Sequence, residues 1–145
     1  NGVGRVQLVQ FDALDRATNA VDANGVTITN TYDNLNHVLT RGYPDGGVEK
    51  FGYSAMGLIA YTNQLNQTNF YAYDVARRKT WETNANNEVT QFKYDASGNL
   101  TNLIDGKSQT TAWNYNEYGL VTNKVDAAGN VYVVEPAAAA GARPT

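Results

Sequence analysis

Apolar and polar positions alternate along this chain in short blocks. Runs rich in Val, Ile, Leu, Thr, Tyr, Phe and Trp are interrupted every 10 or 11 residues by clusters of Asp, Asn, Gly and Ser. Short runs of this kind between regularly spaced turn signals predict strands, and the whole pattern predicts an all-β fold. Within the runs the period is two, so Phe51/Tyr53, Tyr71/Tyr73, Phe92/Tyr94 and Trp113/Tyr115 each place two rings on one side of a strand. The earlier pair Asn30/Tyr32 keeps one ring. No 3.6-residue period survives across the turn clusters, which confines helix, if anywhere, to the C-terminal tail.

The pattern is also a repeat. Phe11, Tyr32, Tyr53, Tyr73, Tyr94 and Tyr115 follow one another at spacings of 21, 21, 20, 21 and 21 residues. A constant period in this range marks a repeat architecture. Behind each ring comes a four-residue turn signal: Asp12 to Asp15, Asp33 to Asn36, Ser54 to Gly57, Asp74 to Arg77, Asp95 to Gly98 and Asn116 to Gly119. An opening Asp can bond its own backbone two residues on, and a closing Gly accepts φ > 0 without steric cost. Gly57, Gly98 and Gly119 fit that closing position, Asp15 and Asn36 are next best, and Arg77 is a poor choice, which predicts variable turn geometry. A second set of signals lies between the first: Asp22 to Gly25, Pro44 to Gly47, Gln64 to Gln67, Asn84 to Asn87, Asp105 to Ser108 and Asp126 to Gly129. Each repeat is then one hairpin, with strands of roughly six or seven residues.

Equivalent strands are two apart in such a sheet, so successive repeat rings lie roughly 9.6 Å from one another at about 4.8 Å per strand. They cannot stack directly. The outgoing strands must fill the gaps, with Val38, Leu39, Leu58, Ile59, Trp81, Leu100, Leu103, Leu120 and Val121 as candidates. Cross-strand pairs of this type contribute roughly 0.2–1 kcal/mol each, so a ladder of them stabilises collectively.

At these residues the chain resembles the YD-repeat family, also called Rhs repeats, whose consensus is close to Tyr-Asp-x-x-Gly-Arg/Asn-Leu. Tyr94-Asp95-Ala96-Ser97-Gly98-Asn99-Leu100 matches best, and Tyr73-Asp74 and Tyr32-Asp33 keep the namesake pair. The resemblance runs over about residues 11 to 130. It implies β-hairpins that spiral into a large hollow shell, as in bacterial polymorphic toxins, the C components of insecticidal toxin complexes and the animal teneurins. It further implies a secreted or cell-surface protein, bacterial in the toxin branch, whose shell encloses a protein cargo. In Rhs toxins the shell ends at an Asp-Pro-containing self-cleavage motif. No Asp-Pro occurs here, so that activity does not transfer.

Composition changes this picture little. The net charge of −3 argues neither for nucleic acid nor for an anionic membrane surface. Arg77-Arg78-Lys79 is the one cationic run and reads as a solvated turn and strand start. The absence of cysteine suits a sheet-stabilised secreted protein and a reducing compartment equally. No apolar run approaches the roughly 18 residues of a membrane span. Residues 1–135 read as about six hairpin repeats, and residues 136–145, beginning at Pro136 and rich in Ala, read as a non-repeat tail or linker.

Candidate chemistry is thin. Three serines (Ser54, Ser97, Ser108) all fall in turns, and His37 is the one imidazole, so a hydrolytic triad has poor support. Zinc or iron sites need several His or Cys ligands. Rows formed by Asp12, Asp33, Asp74 and Asp95 on one edge, and Asp22, Asp105 and Asp126 on the other, carry the oxygen ligands that Ca²⁺ prefers. Capping of their own turns uses the same oxygens and is the simpler reading. No cofactor is expected and no enzyme. The expectation is a structural wall segment of a YD-repeat shell, partnered by flanking repeats or by other copies through edge strands. The alternative is an adhesive or carbohydrate-binding repeat module, which exposed rather than buried ring pairs would favour.

Overall fold

A computed structural model describes residues 8–22 and 24–134, and all regular structure among them is β-strand. The chain forms two units, Asn1–Arg78 and Lys79–Thr145. In the first, β1 (Leu8–Phe11), β2 (Ala17–Val21), β3 (Thr27–Tyr32), β4 (Val38–Gly42), β5 (Val48–Ser54) and β6 (Gly57–Thr62) each pair antiparallel with the next in sequence, ending at β7 (Thr68–Tyr73). In the second, β8 (Lys79–Thr83), β9 (Val89–Tyr94), β10 (Leu100–Ile104), β11 (Thr110–Tyr115), β12 (Val121–Val125) and β13 (Val131–Val133) do the same. The fold is thus all-β, a tandem array of antiparallel hairpins. Strand lengths run from three to seven residues. The Ala-rich tail from residue 136 lies outside the described residues.

The two sets of turns sit on opposite ends of the strands and differ in what they do to register. Hairpins closed by the turns behind the repeat rings carry a bulge: Phe11 pairs with Ala17 but Gln10 with Asn19, and the shift recurs at Tyr32, Tyr53, Tyr94 and Tyr115. Two residues of the outgoing strand there oppose one of the incoming strand. The extra residues are Thr18, Leu39, Ile59, Thr101 and Thr122. Pairings across the other turns are unshifted.

This bulge corrects the expected filling between rings. Val38, Leu58, Leu100 and Val121 do pair with their repeat tyrosines and are half-buried. Leu39 and Ile59, the extra residues, are each 38% exposed, because the bulge leaves them without a cross-strand partner. Trp81 and Leu120 are exposed as well. Among the described residues no side chain is fully buried. Tyr32, Tyr53, Tyr73, Tyr94 and Tyr115 are half-buried, whereas Phe11 is 59% exposed.

Candidate functional site: the ring ladder and its turns

The repeat tyrosines do more than pack. The phenol of Tyr32 donates to the carbonyl of Ala17 at 2.7 Å, Tyr73 to Leu58 at 2.9 Å, Tyr94 to Lys79 at 2.9 Å and Tyr115 to Leu100 at 2.7 Å. Each acceptor belongs to the strand before the tyrosine and lies beyond the last registered pair of the two strands, such as Asn19 with Thr29 or Asn102 with Ala112. A backbone carbonyl that the ladder leaves over thereby gains a partner, and each hairpin is tied to the one before it. Tyr53 departs from the rule: its ring stacks on His37 with centroids 4.5 Å apart and planes at 19°.

Behind each ring the turn closes through two backbone bonds. The N–H of the opening residue donates to the carbonyl four residues on, and the N–H of the fourth residue donates back, as in Asp95 to Asn99 (3.0 Å) and Gly98 to Asp95 (3.1 Å). The fourth residue takes a left-handed conformation: φ is 57° at Asp15, 67° at Asn36, 62° at Arg77, 91° at Gly98 and 75° at Gly119. Turn geometry is therefore more uniform than the residue types suggest, and Arg77 is held in a conformation that suits it badly. The exception is the tighter Ser54–Gly57 turn. There Gly57 has φ 142° and a Cβ would stand 3.6 Å from the Tyr73 ring, so the glycine serves both the backbone and the approach of the next repeat's ring. On the opposite edge two turns open one residue earlier than expected, at Tyr43 and Asn63, because Gly46 and Asn66 must occupy the left-handed fourth position.

The turn carboxylates are occupied. Oδ1 of Asp12 and of Asp33 each accepts the backbone N–H two and four residues on, at 2.8–3.0 Å, and Asp74 does likewise at 2.9 and 3.0 Å. The second oxygen receives the side chain at the fifth position: Arg16 Nε at 2.7 Å, Arg78 Nε at 2.7 Å and Asn99 Nδ2 at 2.9 Å, with His37 Nδ1 2.8 Å from Asp33. That contact gives a physical reason for Arg or Asn in the consensus. Arg16 reaches further, over the Tyr32 ring and onto the Asp33 carbonyl at 2.6 Å, so one guanidinium joins two successive turns. Among the described residues no group of three or more acidic or imidazole side chains is placed to hold a metal ion.

Two features escaped the reading of the sequence. Thr18, Thr101 and Thr122, three of the five bulge residues, each donate their hydroxyl to a carbonyl of the facing strand at 3.2–3.3 Å. Their signal was a threonine recurring seven residues after the repeat ring. The second is a carboxylate on the ring-bearing face. Glu49 accepts the phenols of Tyr61 (2.7 Å) and Tyr43 (2.8 Å), with Arg41 at 3.7 Å. The Tyr61 bond is the main reason its carboxyl is held below the ordinary range. His37 and Ser54 line one cleft in the first unit, but Ser54 Oγ accepts the Met56 N–H at 3.1 Å, and among the described residues no hydrogen bond joins it to His37. That geometry assigns no nucleophile.

The turn bonds have a pH signature. The Asn99 amide is the main cause holding Asp95 below the usual carboxylate range, and the Arg78 backbone N–H is the main cause at Asp74. At Asp12 and Asp33 partial burial pushes the other way, but the bonds from Arg16 and His37 outweigh it and both are lowered. Carboxyls lowered by folding stabilise the native state fully above their unfolded value of about 3.9, and that stability is lost as pH falls through the folded value. The urea midpoint should therefore be level above about pH 5 and fall steadily below about pH 4. Asp74→Asn with Asp95→Asn should flatten the fall, and an unchanged acid limb in that double variant would refute the assignment.

Tandem hairpins locked by a ring, an Asp turn and a fifth-position donor define a repeat-built β-sheet protein. Residues 94–131 match the RHS Repeat family model. No curated protein matches the sequence. Among solved structures the fold is similar to the TcdB2–TccC3–TEV crystal structure, with 14% identity, a TM-score of 0.70, and coverage of 81% of this chain and 7% of that one. TcdB2–TccC3 without the hypervariable C-terminal region is similar at 15% identity and a TM-score of 0.69, covering 81% of this chain and 7% of that one. The Photorhabdus luminescens Tc holotoxin pore follows at 12% identity and a TM-score of 0.56, covering 91% of this chain and 10% of that one. The chain thus spans less than a tenth of the length of the first of these.

Proposed function

We propose that this chain is a wall segment of a YD-repeat shell in a large secreted or cell-surface protein, with a mechanical and enclosing role rather than a catalytic one. The observation that carries the reading is how incompletely each unit covers itself. Among the described residues no side chain is fully buried, and the terminal strands expose Leu8 (61%) and Phe11 on β1 and Val131 and Val133 (73%) on β13. A sheet with open, apolar outer strands is a template for further strands. Flanking repeats of the same polypeptide are the natural partners, and other copies of the chain are the substitute when those are missing. Enclosure of a protein cargo would be a property of the whole shell, since this chain matches 7% of the TcdB2–TccC3–TEV chain. The adhesive reading of the ladder is less well supported, because four of its phenols are spent on backbone carbonyls.

Sedimentation of the isolated 145-residue chain tests this. Species larger than a monomer, growing with concentration through the micromolar range, are expected. A compact monomer throughout would overturn the reading in favour of a self-sufficient module.

A further inference from the structure

Four repeat phenols are bonded to backbone carbonyls, which are too weakly basic to take up a proton. Tyr61 is placed differently: its phenol donates to Glu49 Oε1 at 2.7 Å, and a carboxylate can take the proton. That matters for oxidation. A phenol gives up an electron most readily when its proton can leave along a hydrogen bond, because the radical cation is otherwise extremely acidic. Glu49, although held below the ordinary carboxyl range, remains a far stronger base than that cation.

A second phenol stands next to it. Tyr61 on β6 registers with Asn69 on β7, and the pairing there is unshifted. Tyr71 lies two residues beyond Asn69, hence on the same ring-bearing face and diagonally across from Tyr61. Diagonal neighbours in an antiparallel pair have Cα atoms about 7–8 Å apart, within reach of two aromatic side chains. The bond to Glu49 chiefly raises the Tyr61 phenol above its ordinary value, and the nearby Tyr71 phenol adds to the rise. On the β5 side Tyr61 meets Phe51, with centroids 5.3 Å apart, a ring that forms no phenoxyl radical. Both tyrosine rings are half-buried, so neither is sealed from a small oxidant.

We propose that Tyr61 and Tyr71 are an oxidative cross-linking site, converted to dityrosine by a one-electron oxidant of the haem-peroxidase and hydrogen-peroxide class. Each phenol loses one electron and one proton, Tyr61 passing its proton to Glu49 and Tyr71 to water. The two radicals join through a ring carbon ortho to each hydroxyl. The hydrogen on each joined carbon then shifts to its oxygen, which restores both phenols. Two electrons and two protons leave in all, and one hydrogen peroxide takes them to become two waters. The new bond staples β6 to β7 in a chain that has no cysteine for a disulfide. Tyr43 shares Glu49 through Oε2 at 2.8 Å, but it follows β4, on the far side of β5. Two strand spacings, roughly 9.6 Å, separate it from β6, which makes it the internal control. The site belongs to the first unit and does not rest on the shell reading.

The 145-residue chain would be treated with a haem peroxidase and hydrogen peroxide, then digested with trypsin, which releases residues 51–77 as one peptide holding both rings. Mass spectrometry should find this peptide lighter by two hydrogens, with no backbone fragments between residues 61 and 71. Tyr61→Phe and Tyr71→Phe, which keep the rings, should each abolish that product, and Tyr43→Phe should retain it. Glu49→Gln should slow its formation about tenfold, since an amide accepts the hydrogen bond but not the proton. The proposal fails if the peptide is unmodified, if the bond maps to Tyr53 or Tyr73, or if it survives Tyr71→Phe. It fails equally if Glu49→Gln reacts as fast as the parent chain, or if every cross-linked product has the mass of two chains.

Discussion

Tyr94→Ala should destabilise the chain by about 2–4 kcal/mol, whereas Phe11→Ala should cost about 1 kcal/mol or less. The two residues hold the same position in the repeat but not the same environment. Tyr94 is half-buried in β9, paired with Leu100, and its phenol is bonded to the Lys79 carbonyl at 2.9 Å. Phe11 has no hydroxyl and is 59% exposed on an outer strand. Tyr94→Phe separates the two contributions: it keeps the ring and should lose about 0.5–1.5 kcal/mol, the usual net value of one hydrogen bond. Urea denaturation of the three variants checks the order. Equal shifts for Tyr94→Ala and Phe11→Ala would mean that the ring ladder is not what holds the repeats.

The second large effect is expected at the fourth turn position. Gly98→Val places a β-branched residue at φ 91°, with an expected loss of about 2 kcal/mol. Arg77 stands at the equivalent position with φ 62°, so Arg77→Gly should raise stability by about 1 kcal/mol. The opposite signs at equivalent positions make the pair diagnostic. A denaturation midpoint that moves in neither variant would show that backbone strain in these turns is relieved by local adjustment.

Much of this protein was legible before any coordinates. The 20–21-residue spacing of Phe11 through Tyr115 and the turn signals between them determine an array of antiparallel hairpins, because local turn chemistry and a two-residue alternation need no knowledge of distant contacts. The same holds for the placing of Asp12, Asp33, Asp74 and Asp95 in turns, where a carboxylate reaches its own backbone. Tertiary structure decided the rest. The bulge after each ring is an offset between two strands, invisible in either strand alone, and it turned Leu39 and Ile59 from expected filler into exposed residues. The tyrosine phenols find carbonyls 15 residues back only once neighbouring hairpins are aligned. The uniform left-handed turn residue, even at Arg77, follows from the closing backbone bonds and overrides side-chain preference. Tyr61 and Tyr71 likewise become diagonal neighbours only through the register that sets β6 against β7.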